Sequence, residues 1–260
     1  LIYSAEMLPS DSLDGLYERF NIDRPRDFTG HSMSVGDIIV VNDEGNLTEM
    51  VNAIRGINFD AGEGEFIVVA GVNGSGKSTF AKILNRLLLP IEGTVLIGGL
   101  DAMQEENIIP IRKMVGMVFQ NPDDQLIGSV VEEDVAFGAE NISVPHKELV
   151  KRVEDALAQV GLAASMRIEE LSGGGKQKVA IAGVLAMKPR YIVLDEATSM
   201  LDPKSRRDVL QLMKELQKQG ITIILITHLM EELLLADWIY VMHQGLSLIH
   251  ISEPTRQAEI

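Results

Sequence analysis

The chain has 260 residues, 46% of them hydrophobic and 23% charged. That is room for one or two domains of about 150 residues, with enough apolar material for a core, and it excludes wholesale disorder. Twenty-three basic against thirty-eight acidic residues leave a formal charge of −15, so there is no general electrostatic reason to seek nucleic acid or anionic lipid. Anion sites made of backbone amides stay open. The absence of cysteine excludes disulfides, thiolate chemistry and cysteine-held metals, and fits a reducing compartment. No apolar run reaches the ~18–20 residues of a membrane helix. No basic stretch followed by an apolar one suggests a leader.

The middle of the chain alternates strands and helices. Residues 65–70 (EFIVVA) are a short, β-branched apolar run, expected as a buried strand. A glycine-rich turn follows, then residues 78–89 with helical apolar spacing. Residues 115–119 read as a strand. Leu149, Val153, Leu157 and Val160 recur at helical steps, so 148–160 is expected as an amphipathic helix. Residues 173–187 form a second long helix, stopped by Pro189. A strand at 191–194 precedes a helix at 203–219 that starts with Pro and ends at Gly220. Residues 221–227 are the next strand. The alternation argues α/β: a parallel sheet covered by helices. No internal repeat is visible.

Three motifs carry chemistry. Residues 71–79, GVNGSGKST, match G-x-x-x-x-G-K-[ST] with a strand before and a helix after. Gly71, Asn73, Gly74, Ser75 and Gly76 let successive backbone amides curl around a β-phosphate. Lys77 brings positive charge to the β/γ-phosphates, Ser78 offers a hydroxyl to Mg²⁺, and Thr79 is placed for the α-phosphate. Second, the apolar run of residues 192–194 ends in Asp195 and Glu196 at the carboxyl end of a strand, where open α/β sheets bind ligands. Asp195 is the candidate metal carboxylate and Glu196 the candidate that polarises a water. The bland alternative is an acidic helix start. Third, LSGGG at 171–175 precedes a helix, so Ser172, Gly173 and Gly174 are a second candidate phosphate-binding helix start; alone, it would be an ordinary cap. Two such starts in one chain suggest nucleotide held between two subunits.

Taken in order, the P-loop, Gln120 after a strand, LSGG, Asp195-Glu196, the run Ser199 to Asp202 and Thr227-His228 resemble an ABC-transporter ATPase over residues 44–245. The stretch at 119–141 is similar to the energy-coupling factor subfamily, first-paralogue type. The resemblance implies a P-loop NTPase sheet with an inserted helical subdomain at about 121–172. It also implies ATP and Mg²⁺ as cofactors, and ATP-driven dimer closure that energises import of a micronutrient, a vitamin or transition metal. Gln120 would sense the γ-phosphate and Mg²⁺, Asp202 would act across the dimer, and His228 would contact the γ-phosphate. The implied partners are a paralogous ATPase subunit, a transmembrane coupling protein and a substrate-binding membrane subunit, with no nucleic acid. The implied place is the cytoplasmic face of the membrane, peripherally.

Some positions depart from that pattern. Gly175 stands where Gln is usual and Lys178 where Arg is usual, which implies weaker dimer closure and a lost bidentate fork. Val72 replaces a common His; Trp238 and His243 stand for Arg and Asp. No adenine-stacking aromatic lies nearer to the P-loop domain than Phe28. Residues 12–41 resemble a YodL-like domain, and the segment 1–43 is expected to be foreign to the ATPase. Residues 246–260 resemble a translated sequencing adaptor, and the sheet pattern is expected to stop at Gly245. The further C-terminal helical segment common in the subfamily is not apparent, so the chain reads as a chimera with a truncated ATPase. The alternatives are a catalytically impaired P-loop protein, a mobile-element interaction protein if the fusion is genuine, and a DNA-repair ABC ATPase, which the acidic balance and missing zinc cysteines disfavour.

Overall fold

The computed structural model describes residues 33–35, 54, 57–91, 93–243 and 245–252, with the backbone alone at 33–35 and 246–252. Two sheets organise it. The larger has six strands in the order β10-β9-β3-β8-β7-β6: β3 (Phe66–Gly71), β6 (Val115–Val118), β7 (Tyr191–Asp195), β8 (Thr222–Thr227), β9 (Trp238–His243) and β10 (Leu246–Ser252). From β9 to β6 every pairing is parallel. Only β10 runs antiparallel, against β9.

Parallel strands need helices on both faces, and their apolar runs are therefore nearly continuous. The alternation sorts side chains between two cores. Phe66, Val68, Val118, Ile192, Leu194, Ile223 and Leu225 face one. Ile67, Val69, Met117, Val193, Ile224 and Ile226 face the other. The first core is closed by α3 (Val131–Asn141), α4 (His146–Val160), α5 (Gly173–Ala186) and α6 (Pro203–Lys218). The second is closed by α1 (Lys77–Leu84), α2 (Ile108–Met114) and the smaller sheet. Helix α5 lies so close to β6 that a Cβ at Gly116 would collide with Val184.

The smaller sheet is antiparallel, in the order β2-β1-β4-β5: β1 (Met33–Val35), β2 (Phe59–Ala61), β4 (Val95–Ile97) and β5 (Leu100–Asp101). Phe59 meets the Phe80 ring edge-on at 4.9 Å and the Tyr240 ring at 4.7 Å. These contacts fasten the small sheet to α1 and β9. Its β1 comes from the segment expected to be foreign, and pairs with Phe59–Ala61 and Val95–Leu96.

Two expectations are corrected. Helix α1 ends at Leu84, short of 89. Arg86 adopts a left-handed φ of 58°, and the amides of Leu87 and Leu88 both return to the Lys82 carbonyl, which closes the helix. The sheet does not stop at Gly245. Residues Leu246–Ser252 pair with β9 after a turn in which Gly245 has φ 80°. A register shift between Ser247 and Ile249 breaks the period of two, which hides the strand from pattern reading. The adaptor resemblance of this segment finds no support. The aromatic at Phe28 lies outside the described residues.

Candidate active site

All five parallel strands end at the same edge of the sheet, and four neighbours supply the site. The loop after β3 carries the P-loop, the end of β8 carries His228, the end of β7 carries Asp195 and Glu196, and β6 is followed by Phe119-Gln120.

The P-loop is shaped by close backbone approach. A Cβ at Gly71 would stand 2.7 Å from Ser75 Oγ and closer still to the Met242 carbonyl oxygen. Gly74 and Gly76 have φ of 79° and 96°, which a side chain would strain. Gly76 caps α1 with no side-chain hydrogen bond, and no acid stands in the first turn. The first amides of a helix have no intrahelical acceptor and carry the positive end of its dipole, so this terminus suits an anion. Lys77 is only 4% exposed. Its Nζ donates to the carbonyls of Gly71 at 2.9 Å and Val72 at 3.0 Å, and lies 3.5 Å from Glu196 Oε1. Asn73 and Gly74 are exposed at the tip of the loop, Thr79 is half-buried, and Ser75 Oγ is buried without a partner.

Ser78 Oγ donates to Asp195 Oδ1 at 2.9 Å. Burial pushes the Asp195 carboxyl above its usual value, and Glu196 adds to the rise, while the Ser78 hydroxyl, Lys82 and Lys77 oppose it. A hydroxyl and a buried carboxylate side by side are hard oxygen donors that fit Mg²⁺, which keeps most of its shell as water and phosphate oxygen. No cluster of three or more metal-binding side chains occurs among the described residues.

Glu196 adopts φ 50°, uncommon for a residue with a Cβ. Its amide donates to Ile226 O at 3.0 Å and its carbonyl accepts from the Ser199 amide at 3.0 Å; these bonds hold the strained turn. The turn aims the carboxylate between Lys77 and His228, whose Nδ1 lies 3.3 Å from Glu196 Oε2. Gln120 Nε2 donates to Ser199 Oγ at 3.3 Å, which puts it beside the loop after Glu196 and not on the Ser78–Asp195 pair.

The remaining predicted residues gather elsewhere. Ser172 caps α5, accepting from the Gly175 amide at 3.2 Å. A Cβ at Gly174 would stand 2.5 Å from Ser205 Cβ, whereas Gly173 has nothing within 4 Å. Asp202 caps α6 by accepting from the amides of Lys204 at 2.9 Å and Ser205 at 3.1 Å. Hydrogen bonds from Ser205 hold its carboxyl below the usual range. So Ser172–Gly174 and Asp202 share one neighbourhood through Ser205. Among the described residues, no hydrogen bond or ion pair joins either to the P-loop.

Sequence reading missed the supports. Gln125 brackets the end of β6: its Oε1 accepts from the Phe119 amide at 3.1 Å and its Nε2 donates to Met117 O at 3.1 Å. Gln177, fully buried, donates to Phe119 O at 3.2 Å. Asp134 accepts from the amides of Ile127 and Gly128, both at 2.7 Å. Buried Thr198 donates to buried Glu232 at 2.6 Å. The only signal was a polar residue at a helical core position, such as Gln177 in α5; none marks the others.

The profile of the family described as "ABC transporter" matches residues 54–199. The chain belongs to this family. It is an ATPase of the ABC class. The profile of the "YodL-like domain" matches residues 1–53, and the two matches abut between 53 and 54. Among curated relatives, the energy-coupling factor transporter ATP-binding protein EcfA1 of Clostridium novyi is 54% identical over 196 residues, covering 74% of this ATPase and 70% of the relative. The Listeria monocytogenes protein of the same name is 51% identical over 196 residues, covering 74% and 70%. Of solved structures, cbiO1 from Clostridium perfringens, titled part of the ABC transporter complex cbiONQ, aligns with TM-score 0.77 and 35% identity, covering 86% of the ATPase and 89% of that chain. A dimeric ATP-binding cassette in a post-hydrolysis state, bound to ADP and Pi, aligns at TM-score 0.74 and 28% identity, covering 85% and 98%. No described helix is long and apolar enough to cross a membrane.

Proposed function

We propose that this ATPase energises an energy-coupling factor importer of a vitamin or transition metal by closing on ATP as a dimer. One observation carries the reading. The P-loop, Asp195, Glu196 and His228 converge on one end of the sheet, while Ser172–Gly174 and Asp202 form a separate group around Ser205. The P-loop and the helix start at Ser172–Gly174 both have the chemistry of phosphate binding, and a second subunit completes each group. Relatives named as energy-coupling factor ATP-binding proteins support the transport reading. A paralogous ATPase is the proposed partner, with a transmembrane coupling protein and a substrate-binding membrane subunit. The assembly sits on the cytoplasmic face.

Each residue then has a task. The amides of residues 73–76 and the Lys77 ammonium bind the β- and γ-phosphates, and Thr79 contacts the α-phosphate. Ser78 and Asp195 would hold Mg²⁺, which neutralises charge on the phosphates. On binding, Lys77 exchanges its carbonyl partners and Glu196 for phosphate oxygens. That frees Glu196 to accept a hydrogen bond from the attacking water, with His228 on its other oxygen and at the γ-phosphate. Gln120 lies beside this site, against Ser199, and by the groove for the membrane partner's coupling helix. Ser172, Gly173, Gly174 and Asp202 act on nucleotide held by the opposite subunit.

Titration of the purified chain with Mg-ATP and a fluorescent analogue tests the reading. Lys77→Ala removes most of the binding, and undiminished binding refutes the P-loop assignment. With the partner subunit present, Glu196→Gln accumulates ATP-bound dimers; hydrolysis at the parental rate removes Glu196 from its role.

A further inference from the structure

Thr198 and Glu232 are both fully buried, and neither belongs to the phosphate site. Thr198 lies two residues after Glu196, in the loop that runs on to Asp202. Glu232 lies four residues after His228, in the 3-10 turn Met230–Leu235. Thr198 Oγ1 donates to Glu232 Oε1 at 2.6 Å. The other carboxylate oxygen, Oε2, is buried with no partner. A carboxylate with one oxygen unsatisfied in the interior costs stability. An apolar side chain of similar length would remove that cost but leave the Thr198 hydroxyl without its acceptor.

The placement gives that carboxylate a use. Two loops meet at the active site, one leaving β7 with Glu196 and one leaving β8 with His228. They are tied before the catalytic pair by Glu196 N donating to Ile226 O at 3.0 Å. They are tied after it by Thr198–Glu232. The Glu196–His228 contact of 3.3 Å lies between the two ties. Arg206 adds a clasp nearer the surface: it donates to Thr198 O and Leu201 O, both at 3.3 Å, and to Glu231 Oε1 at 2.9 Å. The buried tie is the one that water cannot compete for.

We propose that Glu232 is a positioning residue: by holding Thr198 it sets where His228 stands relative to Glu196. The proposal rests on the reading of Glu196 and His228 as the hydrolytic pair. Glu232 is fully buried and bonds Thr198, not a residue of the P-loop, so its effect falls on the chemical step. Through Thr198 it also steadies the segment that ends at Asp202, so the tie spans both halves of the nucleotide site.

The test is steady-state ATP hydrolysis by the full chain with its partner subunit, with ATP affinity and melting temperature measured on the same samples. Glu232→Met is expected to lower kcat about 10- to 100-fold, the range for misplacing a catalytic group by up to about an ångström. ATP affinity stays within about twofold, as for an interaction made only in the transition state. The melting temperature changes little, because the removal of an unpaired buried oxygen is offset by the loss of the acceptor of the buried Thr198 hydroxyl. Glu232→Gln keeps most of the rate, since its amide oxygen still accepts the Thr198 hydroxyl. Thr198→Val repeats the loss, Thr198→Ser restores it, and the two losses do not multiply in the double variant. Parental kcat in Glu232→Met overturns the proposal. So do multiplying losses, and so does a fall in melting temperature and ATP affinity that tracks the rate. Should Glu232→Met fail to fold, Thr198→Val carries the test: it is expected to lower kcat with ATP affinity kept while Thr198→Ser and Glu232→Gln keep the rate, and parental kcat in Thr198→Val overturns the proposal. A parent without ATPase activity overturns the functional reading itself, and this proposal with it.

Discussion

Replacing Gly71 by alanine tests the P-loop by adding one carbon atom. The new Cβ would stand 2.7 Å from Ser75 Oγ and closer still to the Met242 carbonyl oxygen. Gly71 is the last residue of β3 and pairs with Met242 on β9, so the oxygen belongs to sheet backbone and cannot swing aside. Non-bonded heavy atoms rest at about 3.5 Å or more, so relief needs a movement of ~1 Å. The loop takes that movement, because the sheet is packed on both faces and the loop is not. Over-packing of this kind costs about 1–3 kcal/mol, or roughly 2–12 °C of melting temperature in a domain of this size. The displaced amides and Lys77 lose about tenfold or more in nucleotide affinity, on the scale of about 100-fold per ångström of misplacement. Fluorescent-ATP titration and thermal melting, run in parallel with Gly183→Ala, measure both effects. A Cβ at Gly183 would meet nothing nearer than 3.8 Å, so its variant keeps parental ATP affinity. Parental affinity and melting in Gly71→Ala would refute the steric account.

Asp195→Asn raises stability while abolishing hydrolysis. Burial raises the Asp195 pKa in the fold, so the folded state holds its proton more tightly than the unfolded one. The resulting penalty is absent in acid and grows as pH rises above the ordinary value of 3.8; melting curves at pH 4 and pH 7 should show the Asn variant gaining only at the higher pH. Gly175→Gln raises the melting temperature by a few degrees, because glycine costs a helix about 0.5–1 kcal/mol; the new Cβ crowds Leu171 at 3.1 Å, which trims the gain, and a lower melting temperature would show that Leu171 cannot yield. Asp134→Ala strands the amides of Ile127 and Gly128 and costs about 1–3 kcal/mol in denaturant melts.

The sequence by itself determined the parallel sheet and singled out the residues proposed to bind phosphate. Buried parallel strands are local apolar runs, and the P-loop is a local string whose glycines serve local backbone geometry. The capping role of Ser172 and the helix start at Pro203 were legible for the same reason. The site's layout was not. It depends on strand order: β8 stands between β3 and β7, so His228 comes to Glu196 and Lys77 through pairings remote in sequence. The separation of Ser172–Gly174 from the P-loop, and their approach to Asp202 through Ser205, arise from how α5 packs on α6. Strand β10 was invisible because a register shift breaks its alternation. Glu232 carries no local mark, since its neighbour Glu231 points to Arg206 at the surface. Only the meeting of two loops decides which of two adjacent glutamates is buried, because burial is fixed by what the rest of the chain brings to that point.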